Sequence, residues 1–81
     1  MNFYSYVVYN LEHDRFYYGF TADYRKVEQA HDAGKIDLTK EIRPWKLIFY
    51  EGFEAKLQAI KRSHFYRSEA GQRFLRKKLN F

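Results

Sequence analysis

The chain has 81 residues and a formal net charge of +5, and 21% of its residues are aromatic: eight Tyr, eight Phe and one Trp. That length makes one domain, residues 1–81, near the size at which burial only just offsets chain entropy, so the aromatic rings must supply much of the apolar area. The absence of Cys excludes disulfides and thiolate metal sites, and no stretch reaches the roughly 20 apolar residues of a membrane span. The N-terminus lacks a basic n-region and its apolar run is broken by Ser5 and Asn10, so no signal peptide is read and the expected location is cytoplasmic, with no membrane partner.

In chain order, Phe3 to Tyr9 reads as a strand, with Phe3, Ser5, Val7 and Tyr9 on one face and Tyr4, Tyr6 and Val8 on the other. Both faces are largely apolar, which predicts cover on both sides and a central place in a sheet. His13-Asp14 marks a turn and Phe16 to Phe20 returns as a second strand. Gly19, with no side chain to pack, predicts close approach of another element or of a substrate backbone. Asp23 is the expected N-cap of a helix running to about Ala33, with Gly34 as its stop and Tyr24, Val27 and His31 facing inward. A polar loop over residues 35–43 leads to a third strand, Trp45 to Phe53, at whose edge Pro44 fits because it cannot donate to a ladder. There Trp45, Leu47 and Phe49 alternate with Lys46, Ile48 and Tyr50. A second helix runs from Glu54 to about Arg67 with Leu57, Ile60 and His64 at helical spacing, and Ser68 caps a third carrying Phe74 and Leu75. The order β-β-α-β-α-α, with a small antiparallel three-stranded sheet flanked by helices, is an α+β architecture.

Charge is spread unevenly. Residues 1–55 carry a net −2 and residues 56–81 a net +7, which points the C-terminal half towards a polyanion. Lys61, Arg62 and Arg67 on the second helix, with Arg73, Arg76, Lys77 and Lys78 on the third, are candidates for a phosphate-binding groove, and Tyr66 or Phe81 for stacking on an unpaired base. The plainer reading of the same cations is a solvated helical surface.

The tripeptides Tyr4-Ser5-Tyr6 and Tyr17-Tyr18-Gly19, followed by a short helix ending at His31, resemble the GIY-YIG nuclease domain. The resemblance runs nearly end to end: Phe20-Thr21-Ala22-Asp23, Arg43-Pro44-Trp45-Lys46-Leu47 and Arg67-Ser68-Glu69-Ala70-Gly71-Gln72-Arg73-Phe74-Leu75 look like its small stand-alone bacterial members. It implies an endonuclease fold in which Tyr6 stands at the general base, Tyr17 assists it, His31 supports the site, and Arg43 lies near its edge. It also exposes departures. Tyr4 stands where a glycine is usual and Tyr18 where an isoleucine or valine is usual, and both add bulk beside the presumed site. Val27 occupies the place of the arginine that stabilises the phosphate, and Ser63 that of the metal-binding glutamate.

Valine has no donor, and losing one preorganised donor costs on the order of 10²–10³ in rate. Arg25 is the candidate replacement, with Lys26, although either side chain must wrap back round the helix from about 200° or 100° away. Serine is a poor lone anchor for a hard divalent cation. The favoured expectation is therefore a GIY-YIG endonuclease-like domain that binds nucleic acid, DNA in the first instance, with cleavage lost or strongly impaired and no metal or other cofactor. The alternatives are an active metal-dependent DNA endonuclease with a rearranged site, using Mg or Mn, or a protein-interaction or homo-oligomer module built on the aromatic surface.

Overall fold

A computed structural model describes residues 1–36 and 38–80. Strand β1 (Phe3–Asn10) runs between β2 (Arg15–Thr21) and β3 (Lys46–Phe53), antiparallel to both. Its central place follows from its side chains: Val7 and Val8 point to opposite faces and both are fully buried, at 0% exposure. The hairpin joining β1 to β2 is set by Asn10, whose Oδ1 accepts from the His13 amide at 2.8 Å while Asp14 takes φ 50°. The Asn10 side-chain amide also donates to the Pro44 carbonyl at 3.0 Å, tying the hairpin to the start of β3.

One face of the sheet, carrying Tyr6 and Val8, is covered by Val27, Trp45, Ile42 and Leu47. The other, carrying Val7, packs against Tyr66 of helix α2 (Lys56–Arg67) and Leu75 of helix α3 (Glu69–Leu79). The result is the expected α+β fold, with helices on both sides of a three-stranded antiparallel sheet. No described helix is long and apolar enough to cross a membrane.

Four local features depart from the sequence reading. The alternation expected in β3 breaks because Val7 pairs with Phe49 and Val8 with Leu47, leaving Ile48 as a bulge. Leu47 thus joins Tyr6 and Val8, whereas Phe49 joins Val7 on the opposite face. The first helix is also shorter than expected: Asp23 caps a 3₁₀ turn, Tyr24–Lys26, and only then does α1 (Val27–Asp32) begin. It stops as expected, with Gly34 at φ 74° and its amide on the His31 carbonyl at 3.1 Å.

Helix α2 does not turn Leu57, Ile60 and His64 inward. Leu57 is 59% exposed, and the buried line is Ala59, Ser63 and Tyr66. Small residues at the first two positions let the helix sit close to the sheet, and Tyr66 then reaches Ser5 at 2.6 Å and Glu51 at 2.5 Å through its hydroxyl. Finally, Tyr18 lies on the α2–α3 side, where its hydroxyl accepts from Gln72 at 3.0 Å and its ring stands 6.2 Å from that of Tyr66. Of the two bulky departures, only Tyr4 shares the face of Tyr6.

Candidate active site

The alternation of β1 aims Tyr6 beneath α1, and the cross-strand partner at that level of β2 is Gly19. A methyl group on Gly19 would lie 2.7 Å from the Tyr6 hydroxyl and 3.0 Å from the Tyr17 ring, so the missing side chain is what lets Tyr6 lie flat across β2. The close approach expected at Gly19 is thus made by Tyr6 itself.

Val27 and His31, one turn apart on α1, both face the sheet and are buried. The Tyr6 hydroxyl is 2.9 Å from His31 Nε2, and His31 Nδ1 is 2.7 Å from the Thr39 hydroxyl. Thr39 donates its proton to the Ile36 carbonyl at 3.3 Å. That choice fixes the rest: Nδ1–H donates to Thr39, and Nε2 is left to accept from Tyr6. Burial holds the His31 pKa below its ordinary value, with Asp32 opposing in part. Burial likewise raises the Tyr6 pKa well above that of a free phenol, with Tyr17 adding to the rise. At neutral pH the site therefore holds a protonated phenol aimed at a neutral imidazole.

Tyr17 completes an aromatic box, its ring 4.9 Å from His31 and 6.3 Å from Tyr6. Trp45 closes the far side at 4% exposure. Its indole N–H is shared between the carbonyls of Thr39, at 3.1 Å, and Ile42, at 2.8 Å. The loop that carries Thr39 is therefore pinned by Trp45. Asp32 accepts the Trp45 amide at 2.8 Å and Glu28 the Leu47 amide at 2.6 Å, which ties α1 to β3. Thr39 is a site residue that sequence reasoning missed. Its only signal was a hydroxyl within a polar loop, eight positions after His31.

His31 makes stability depend on pH in a definite direction. Its folded pKa lies below the unfolded value of 6.5, so its contribution is complete above about pH 6.5 and is lost as pH falls below that value. The urea midpoint is expected to stay level from pH 8 to about 7 and to fall towards pH 5. A midpoint unchanged across the descent would contradict the buried, neutral imidazole.

Val27 is 3% exposed and packs with Tyr6, Val8 and Trp45, so the wall where a phosphate-stabilising cation is expected is aliphatic. Arg25 does not replace it, which corrects the expectation that it stands in as a catalytic residue. Its Nε lies 3.0 Å from Asp23 Oδ1, and its side chain is 75% exposed. The 3₁₀ turn places it outside the helix phase that carries Val27 and His31. Lys26 is also exposed.

Ser63 is 2% exposed and donates to the Ile60 carbonyl at 2.7 Å, on the side of α2 that faces the Val7 layer. Val27 and Ser63 thus belong to different layers of the fold. The carboxylate that α2 does engage, Glu51, is held by Arg62 at 2.7 Å and by Tyr66. Among the described residues, no three His, Cys, Asp or Glu side chains gather where an ion fits. The residues at this position do not suit a divalent metal: the hydroxyl is spent on the helix and the nearby carboxylate on a guanidinium.

The candidate cations of α2 and α3, with Arg43, do not line one groove. Arg62 is a clamp, paired with Glu51 and lying 4.4 Å and 4.7 Å from the Phe65 and Phe74 ring centres. Arg43 is exposed on the loop before β3, with Nη2 3.4 Å from the Lys40 carbonyl. Arg67 donates to the Tyr18 carbonyl at 3.3 Å, and Lys61, six residues earlier, points about 120° away from it. Arg73, Arg76 and Lys77 share the outer face of α3, opposite Gly71 and Leu75, with Arg73 bound to Glu69 at 3.1 Å. The basic surface of α3 is a solvent-facing stripe, and Lys61 and Arg67 are exposed on different sides of α2. Tyr66 is fully buried and hydrogen-bonded, so it is unsuited to stacking on a base. Phe81, the other ring considered for stacking, lies outside the described residues.

Comparison with known families finds a match to the GIY-YIG catalytic domain over residues 2–76, nearly the whole chain. No curated protein and no solved structure matches.

Proposed function

The chain belongs to the GIY-YIG family, and from that premise we propose that it binds nucleic acid, DNA in the first instance, in the cytoplasm without cutting it efficiently. The observation that supports this reading is Val27, packed at 3% exposure against Tyr6, in the place where the family carries a cation. A phosphate brought to this site faces a phenol already engaged with His31 and an aliphatic wall in place of the cation that would stabilise charge developing on its oxygens. The exposed cations, Lys61, Arg67, Arg73, Arg76 and Lys77, remain available to a phosphate chain.

Titration of single- and double-stranded DNA and RNA tests the binding. Three to five phosphate contacts are expected to weaken association on the order of 20- to 500-fold between 50 and 200 mM salt. No association with any of the four at low salt would end the proposal.

One observation favours a second reading. The Tyr6–His31–Thr39 chain is complete, and an imidazole that accepts from a phenol is the arrangement a tyrosine general base requires. An active endonuclease on this site would need Mg or Mn held by groups that the fold does not gather at Ser63.

A further inference from the structure

On the Tyr6 face, the level that joins Gly19, Tyr6 and Tyr50 is followed by one joining Thr21, Tyr4 and Gly52. Tyr4 and Tyr50 are therefore diagonal neighbours on one face of the sheet, and the 3₁₀ turn lays Tyr24 across both. Tyr24 and Tyr50 stack, with ring centres 4.0 Å apart and planes 11° from parallel. Tyr4 meets Tyr24 edge-on at 4.9 Å and Tyr50 at 6.0 Å. A methyl group on Gly52 would overlap the Met1 sulfur and lie 3.2 Å from the Tyr4 ring, so the missing side chain leaves room for both. Tyr50 remains 43% exposed and borders an open groove along the outer edge of β3, formed with Leu47, Ile48 and Phe49. Arg25 directly follows Tyr24, and its side chain is 75% exposed, in a surface ion pair with Asp23 that a phosphate would have to share or displace.

Two features set this cluster apart from the other ring groups. The rings around Tyr66 and around His31 are shielded by helices or loops, whereas Tyr50 is stacked on one side and open to water. An exposed cation also stands beside the rings, a combination that suits a base and its phosphate together. We propose that Tyr4, Tyr24 and Tyr50, with Arg25, form a stacking site for an unpaired nucleobase of a single strand, Arg25 meeting the adjoining phosphate. The proposal rests on the nucleic-acid reading above and narrows it to strands with unpaired bases. Because stacking uses the π-face that every base has, and Arg25 is assigned to the phosphate, the site is tolerant of sequence.

The test compares a labelled oligothymidylate with an abasic phosphodiester of equal length. One stacked base is worth about 1–3 kcal/mol, so the base-bearing strand is expected to bind about 5- to 150-fold tighter. Tyr50→Ala should remove that preference and Tyr50→Trp should keep it. Arg25→Ala, at an exposed position, should weaken both strands by a similar few-fold and leave their ratio unchanged. A wild-type ratio near one overturns the stacking site while leaving phosphate binding intact. A proportional loss on both strands in Tyr50→Ala also overturns it. If neither strand binds, the stacking site falls, and titration of duplex DNA and of RNA decides the proposed function separately.

Discussion

Val27→Arg is expected to destabilise the fold by about 3 kcal/mol or more, because it places a cation among the buried side chains of Tyr6, Val8 and Trp45. Urea unfolding should show the midpoint falling with little change in slope. Val27→Ala provides the scale. It removes two buried methyl groups, a loss of about 1.5–2.5 kcal/mol once a small cavity is included. The arginine variant must be clearly worse. If it unfolds no more easily than the alanine variant, the guanidinium has reached water along the stem of its own side chain. The site would then be open enough to accept the missing cation, and the aliphatic wall would lose its meaning. The comparison thus separates a site that lacks one side chain from one that has been repacked around its absence.

Gly71→Ala is expected to be equally severe, for a steric reason. Helix propensity alone favours the alanine by about 1 kcal/mol. Yet the new methyl group would overlap the Phe65 carbonyl and press on the Tyr66 backbone, where no side chain can move aside. Relief requires parting α2 from α3, which opens the layer that buries Tyr66 and Leu75. A loss of about 3 kcal/mol is expected. Ala70→Gly, at the neighbouring exposed position, should cost only about 1 kcal/mol. Equal effects at the two positions would mean that the helices are not in contact at Gly71.

Much of the fold was legible because local chemistry and tertiary packing agree. A strand apolar on both faces had to be central, and Val7 with Val8 shows it. Asp23 and Ser68 were readable as caps, and both accept the expected amides, from Arg25 at 3.0 Å and Gly71 at 3.0 Å. Gly34 was readable as a stop. What could not be read depends on partners distant in sequence. The Ile48 bulge reverses Phe49 but leaves no mark in the residues of β3 alone. Helix α2 hides its small residues, Ala59 and Ser63, because the sheet approaches closely there, while the hydrophobic spacing pointed to Leu57 and Ile60. Arg62 looked like one cation among many until Glu51, eleven residues away, came beside it.

The candidate site divides in the same way. Tyr6, Tyr17 and His31 were nameable from the resemblance, and the fold brings them within one aromatic box. Thr39, which sets the His31 tautomer, lay in a loop with no pattern to single it out. Val27 and Ser63 were visible as departures. Only the structure shows that one is buried in the Tyr6 layer and the other turned towards the Val7 layer.

The most direct measurement is cleavage of supercoiled plasmid and of a labelled single strand, in Mg and then in Mn, by the wild-type chain and by Tyr6→Phe. The expected result is association that salt disrupts, with both substrates left whole by both proteins. Turnover by the wild type that disappears in Tyr6→Phe would show that a phenol, an imidazole and an aliphatic wall suffice for phosphodiester hydrolysis here, and would contradict the account.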